Sequence, residues 1–301
     1  MQKTLVSKNS KSSSEPGGAN KMQSVRSGRA VAHRSLDYVG LRSEEESALL
    51  RKGLKVINTN KKVVDNLPRL AEKQAVVFCD FDGTVTTSDV TDVLLEELAH
   101  PDWKIIEERW VNGEIDDCQC MGEQIALIEG NWQKIVGVLD TIKIDPYFKS
   151  FIAQCNEIGL PVYIGSNGID RVVSYILHKE GIQVNGTWSY HLIESDKGWQ
   201  LEFPKSETRG FCQVQHSIAC KCTLLETDSR ALSGRENPYK IVIGDSKSDF
   251  CWSHKADFVF GKNKLAQYCR ERDIDHLSFT DFSHINEYMT QCEIFTKTAS
   301  S

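Results

Sequence analysis

The stretch "QAVVFCDFDGT", residues 74–84, decides how the rest of this chain is read. Its first half is a continuous apolar, β-rich run, the pattern of a strand buried on both faces of a parallel sheet. Its second half places two carboxylates, Asp80 and Asp82, at the end of that strand with a single residue between them. Like charges so close repel, so the pair needs either solvent or a cation. A calcium loop of the EF-hand kind does not fit. It requires a glycine at its sixth position and flanking helices, whereas Gly83 is fourth and a strand precedes it.

The whole chain narrows the field. Its 301 residues suffice for one large domain or two modest ones with a real core. A composition of 40% hydrophobic and 26% charged residues is that of an ordinary soluble globular protein. The formal net charge of −6 argues against nucleic acid or anionic membrane as a partner. No apolar run approaches the roughly 18 residues that a membrane span needs. Ten cysteines without an N-terminal hydrophobic signal segment fit thiols in a reducing compartment, so a cytoplasmic location is expected. Residues 1–36 stand apart: rich in Ser, Lys and Arg, with Glu15 as their only acid. They read as a disordered tail, or as a transit peptide addressed to a mitochondrion or plastid.

Beyond that tail, "SEEESALLRKGLKVI" has a Ser43 cap and helical apolar spacing. After the first strand, residues 88–140 read as mostly helix, in three amphipathic segments. Helix-like and strand-like segments then alternate. "LPVYIGSNG" and "YKIVIGDSKSD" are apolar strands ending in polar turns, and "TWSYHLIES" and "GWQLEF" read as an antiparallel pair around Asp196–Gly198. This alternation predicts an α/β fold built on a doubly wound parallel sheet.

In such a sheet, ligands bind beyond the carboxyl ends of the strands. Three strand ends are therefore expected to meet on one rim. They bring Asp80, Asp82 and Thr84 from the first, Ser166, Asn167 and Gly168 from the second, and Asp245 and Asp249 from the third. A hard divalent cation takes carboxylate oxygens, keeps waters and accepts phosphate into its shell, so Asp80 and Asp245 are candidate ligands. One paired acid can then attack phosphorus while the other moves a proton.

The residues Asp80-x-Asp82-Gly-Thr84, Ser166 and Gly244-Asp245-Ser-x-Ser-Asp249 resemble motifs I, II and IV of the haloacid dehalogenase superfamily of phosphotransferases. The second aspartate, Asp82, aligns the resemblance with the phosphatases rather than the dehalogenases. The helical insert after motif I resembles the cap of the phosphoserine-phosphatase-like branch. Residues 75–285 are similar to the methionine-salvage phosphatases of that branch, in the Cys-rich run "CQVQHSIACKCTLLE" and the tail "ADFVFGKNKLAQYCRERDIDHLSFTDFSHI". The resemblance implies a discontinuous core over 37–86 and 146–290, a helical cap over 87–145 and a tail over 291–301. It implies Asp80 as the nucleophile that becomes an aspartyl-phosphate, and Asp82 as general acid and base. Asp80, Asp82 (through its carbonyl), Asp245 and Asp249 would serve Mg2+, with Asp249 holding the water shell or orienting a lysine. Thr84, Ser166, Asn167, Gly168 and the motif III lysine Lys221 would face the phosphate; Lys205 is the rival for that lysine.

The implied function is a magnesium-dependent phosphomonoesterase acting on a small phosphorylated metabolite, with a homodimer left open. A non-catalytic binder of phosphorylated ligands and a phosphotransferase to a second alcohol are the alternatives. Asp89 lies where phosphoserine phosphatases carry a glutamate for the substrate ammonium, and is expected to select substrate. Gly122 falls near the position of their carboxylate-binding arginine, which argues against phosphoserine itself. Motif II reads Gly-Ser-Asn-Gly in place of the expected Ser-Gly-Gly, and His216 and Ala219 stand where the salvage phosphatases have cysteine and glycine. Cys212, His216, Cys220 and Cys222 lie within eleven residues. They read either as zinc ligands or as buried structural thiols. Cys118 and Cys120 read as packing.

Overall fold

The computed structural model describes residues 75–196, 198–203, 212, 214, 220–225 and 238–291. The expectations for residues 1–74, for Lys205, His216 and Ala219, and for 292–301 lie outside the described residues. The apolar run of the opening stretch forms strand β1 (Ala75–Cys79), buried along its whole length. Four helices follow: α1 (Val90–Leu98), α2 (Trp103–Val111), α3 (Asp117–Ile125) and α4 (Trp132–Leu139). Then come α5 (Phe148–Ile158), β2 (Val162–Ile169) and α6 (Asp170–Lys179). A hairpin of β3 (Gly186–Ser195) and β4 (Gly198–Glu202) turns at Gly198, whose φ of 105° suits the absence of a side chain. β5 (Tyr239–Gly244) leads through a 3-10 turn (Lys247–Asp249) into α7 (Phe250–Ser253) and β6 (Phe258–Gly261). α8 (Asn263–Glu271), β7 (His276–Ser278) and α9 (Phe282–Gln291) complete the described chain.

The seven strands form one sheet in the order β4-β3-β2-β1-β5-β6-β7. Every pairing is parallel except β3 with β4. The chain winds outward from β1 through β2 to the β3–β4 edge, then returns to β5 and winds out the other way. The expected doubly wound parallel sheet is thus present, with one antiparallel edge hairpin. The carboxyl ends of β1 and β5 flank the point where the winding reverses, which is where such sheets bind ligands.

Strand alternation explains why β1 carries no polar residue. Ala75, Val77 and Cys79 enter a large core with α1, α4, α5, α6 and α9, while Val76 and Phe78 enter a second core on the opposite face. In the first, the ring of Phe282 sits 4.8 Å from that of Phe148 and 5.2 Å from that of Phe151, joining α9 to α5. The second is lined by Trp252, Leu265 and Cys269 and by four further cysteines, at 212, 220, 222 and 251. Between 120 and 140 the apolar spacing suggests a continuous helical segment, yet two helices form. Gly130 (φ 105°) breaks the run, and Asn131 restarts it by accepting the Lys134 N–H at 3.2 Å. Among the described residues no helix is long and apolar enough to cross a membrane.

Candidate active site

The backbone ladder sets the site. Cys79 pairs with Ile243, and the Asp80 N–H donates to the Ile243 carbonyl at 2.8 Å, so Asp80 and Asp245 leave neighbouring strands together. Oxygens of Asp80, Asp245 and Asp249 lie within 4.8 Å of one another. Asp80 is 2% exposed and Asp249 fully buried. Lys221, 1% exposed, donates to an Asp80 oxygen, to Asp249 Oδ1 at 2.9 Å and to Ser248 Oγ at 3.0 Å. The other Asp249 oxygen accepts the N–H groups of Asp245 (2.9 Å) and Ser246 (3.0 Å), fixing the loop that presents Asp245.

This group carries more negative charge than its lysine neutralises. Burial, then the charge of Asp249, holds the Asp80 carboxyl well above its ordinary range despite the opposing pull of Lys221. Burial and Asp249 likewise raise Asp245. For Lys221, burial alone would favour the neutral amine, but Asp249 and Asp80 outweigh it and keep the ammonium. Three convergent carboxylates with one cation among them form a hard oxygen donor set that suits a divalent ion of the magnesium or calcium kind.

Asp82 has different surroundings. Its Oδ1 accepts the N–H of Val90, the first residue of α1, at 3.1 Å, and its Oδ2 accepts the Ser166 hydroxyl at 2.9 Å. Ser166 Oγ in turn accepts the Gly168 N–H at 2.8 Å. Burial, reinforced by the charge of Asp89, pushes Asp82 up to about 7 against the pull of the Val90 and Ser166 donors. Burial raises both carboxylates of this strand end, but their partners differ: Asp80 is clamped by an ammonium, whereas Asp82 is held by an N–H and a hydroxyl and is poised to hold or release a proton near neutrality.

Above the carboxylates opens a cavity of about 460 Å3. Asp80, Asp82, Asn167, Gly168 and Lys221 form its floor, and Trp110, Met121 and Tyr190 contribute apolar wall. Asp89, Asp92, Glu107 and Asp117 give its outer part a negative rim.

Over 230 residues the chain is 31% identical to the 2-hydroxy-3-keto-5-methylthiopentenyl-1-phosphate phosphatase of Geobacillus thermodenitrificans (strain NG80-2), a match that takes in 74% of this chain and 99% of that protein. The chain belongs to the haloacid dehalogenase family of phosphatases. The phosphatase of the same name from Bacillus cereus (strain 03BB102) is 32% identical over 221 residues, 71% of this chain and 94% of that one. No family model matches. Among solved structures, a phosphoserine phosphatase described as a phospho-aspartyl intermediate analogue superposes with a TM-score of 0.55 at 19% identity, covering 72% of this chain and 99% of its own. A probable phosphoserine phosphatase from Vibrio cholerae gives 0.59 at 15% identity, covering 87% and 76%. These two likenesses are of fold.

This haloacid dehalogenase phosphatase is therefore a phosphoric monoester hydrolase acting on a phosphorylated small molecule. Phosphatases of this family generally use a divalent metal. The structure brings together all ten residues singled out from sequence, though not all in one posture. Thr84 is fully buried, and its hydroxyl lies 3.2 Å from Asp80 Oδ2 and 3.4 Å from Asp245 Oδ1, between the carboxylates rather than on the cavity wall. Asn167 lines the cavity, and its buried Oδ1 has no hydrogen-bond partner. Asp89 lines the cavity and also caps α1, accepting the Asp92 N–H at 3.1 Å.

Three contributors escaped the sequence reading. Ser248 holds Lys221, although it stood inside the quoted third motif without a role. Asn263 donates to Asp245 Oδ2 at 3.2 Å from a left-handed backbone (φ 48°), and no local pattern marks it. Lys264, one residue on, reaches the cavity wall. Gly122 is not among the residues lining the cavity; a side chain there would face the ring of Phe203 at 3.7 Å.

Proposed function

We propose that the chain is a magnesium-dependent phosphomonoesterase that works through an aspartyl-phosphate on Asp80, with residues 87–145 acting as a cap over the substrate. The reading rests on one observation: the contrast between Asp80, held by Lys221 and Thr84, and Asp82, held by the Val90 N–H and the Ser166 hydroxyl on the cavity floor. Asp80, Asp245 and the Asp82 carbonyl would hold Mg2+, with Asp249 orienting both the loop and Lys221. The ion supplies positive charge that stabilises the carboxylates and the transferring phosphoryl group.

The chain's own groups do the rest. An Asp80 oxygen attacks phosphorus while the bond to the leaving oxygen breaks, and Asp82 gives that oxygen its proton. Asp82, now a carboxylate, takes a proton from water as the water attacks the acyl phosphate; the Asp80–phosphorus bond breaks and inorganic phosphate leaves. Lys221 and the Asn167 side chain neutralise and orient the phosphoryl oxygens, while Ser166, itself held by the Gly168 N–H, keeps Asp82 in register. On the described wall the acids Asp89, Asp92, Glu107 and Asp117 outnumber the lysines Lys247 and Lys264, which supports an organic half without a second negative charge, since a carboxylate there would meet like charges. None of the nine described cysteines is in a disulfide and eight are buried, which supports action in a reducing compartment such as the cytoplasm.

A panel of phosphorylated metabolites assayed with Mg2+, beginning with the ester named for the bacterial relatives, tests this reading. Phosphate release should vanish in Asp80→Asn and be lost reversibly on treatment with EDTA. Full turnover by Asp80→Asn would sink the covalent mechanism.

A further inference from the structure

Four of the eight described buried cysteines converge on one point. The Sγ atoms of Cys212, Cys220, Cys222 and Cys251 all lie within 4.8 Å of one another, and those of Cys220 and Cys251 are 2.9 Å apart. All four residues are buried, at 7%, 3%, 4% and 2% exposure. Buried thiols that act only as small hydrophobes have no reason to meet. Cys269, in the same core, and Cys79 and Cys155, in the other, show this: none belongs to the cluster. We propose that Cys212, Cys220, Cys222 and Cys251 bind one zinc ion, which fastens the Lys221 segment to α7.

The donor chemistry and the spacing both select a single ion. With zinc–sulfur bonds of about 2.3 Å, a tetrahedron of thiolates has sulfur–sulfur edges of about 3.8 Å, which falls within the 4.8 Å that bounds the cluster and requires the Cys220–Cys251 pair to open by about 0.9 Å. All-sulfur tetrahedral sites are the province of zinc and iron, whereas the carboxylate group at the other end of Lys221 suits a hard cation. A cluster of several irons would hold its cysteines farther apart than one ion does. The fourth ligand is Cys251, twenty-nine positions beyond Cys222, while His216 lies outside the described residues.

The placement gives such an ion a consequence. Cys220 and Cys222 flank Lys221, and Cys251 follows Asp249 by two residues. Lys221 and Asp249 are joined by a hydrogen bond of 2.9 Å, and Lys221 also reaches Asp80. Cross-linking these two segments from behind holds the ammonium against the carboxylates, so the ion stabilises the fold and positions Lys221 without touching substrate.

The test uses the full chain purified under a non-thiol reductant. Elemental analysis should find about one zinc per chain that survives the EDTA treatment removing magnesium. Refolding with cobalt alone should give the intense near-ultraviolet thiolate-to-metal band and the visible bands of a tetrahedral sulfur site. Those bands separate this site from cobalt held by the carboxylates. Cys251→Ser should lose the zinc and melt at lower temperature, while Cys269→Ser, in the same core but outside the cluster, keeps it. Should both variants fail to fold, the cobalt spectrum of the wild-type chain decides. Substoichiometric zinc with four freely titrating thiols, iron in its place, or a mass short by the hydrogens of a disulfide would each overturn the proposal. None of these readouts depends on phosphatase activity.

Discussion

At Gly168 a methyl group would stand 2.9 Å from both Asp82 Oδ2 and Ser166 Oγ. The close approach, not an unusual backbone angle, is what requires glycine there. Gly168→Ala should therefore push Asp82 out of register and lower kcat/KM by about tenfold or more, since each 1.4 kcal/mol of misplacement costs that factor, with little change in melting temperature. Asp82→Asn should lower turnover of an alkyl phosphate by about 10²–10⁴-fold. The loss should shrink for an aryl phosphate whose leaving group needs no proton, and equal losses on both esters would count against the acid role. Asp80 and Asp82 were legible because a strand end and its turn are local in sequence. Ser248 and Asn263 were not, because their value lies in hydrogen bonds to Lys221 and Asp245, partners 27 and 18 residues away.

At the scale of elements, α1 does two jobs with one residue. Asp89 caps the helix and charges the cavity rim, so Asp89→Ala would confound the two. Asp89→Ser keeps a cap and removes the charge; its stability should stay within a few tenths of a kcal/mol of wild type, whereas Asp89→Ala should lose about 1 kcal/mol. A change in substrate preference common to both variants would belong to the lost charge. Asp92, in the same first turn, is raised to about 6 by burial and by Asp89, Glu107 and Glu96. An acid whose folded pKa is raised destabilises the fold once it ionises, so its cost is absent near pH 4 and fully present above about pH 6. The full shift would correspond to about 3 kcal/mol. Asp92 is solvent-exposed, however, and screening reduces the figure to about 1 kcal/mol. Asp92→Asn should accordingly match wild type in chemical denaturation near pH 4 and exceed it by about that amount at pH 7. Helix periodicity was readable from sequence in all four helices after β1, but the break at Gly130 depended on cap chemistry that apolar spacing does not report.

For the molecule as a whole, β1 is the central strand: paired on both edges, buried on both faces and shared by the two cores. Its amides should exchange with solvent only on global unfolding, so Val76–Cys79 should be among the slowest in the chain by hydrogen exchange. Lys221 ties the site to that core. Lys221→Met should cost about 3–5 kcal/mol at neutral pH, because it strands Asp80 and Asp249 buried without their counter-charge. Sequence alone determined the alternation of strands and helices, and the acids at strand ends, because both follow from periodicities of a few residues. It also determined that three strand ends would share a rim, since parallel strands in one sheet leave no other arrangement. Only the tertiary structure decided that Thr84 turns between two carboxylates, that Asp89 shares a cavity with Asn167 and Lys221, and that Cys251 joins the thiols at 212, 220 and 222. Those outcomes depend on which side chains meet across 30 to 160 residues of chain, and no local spacing encodes such a distance.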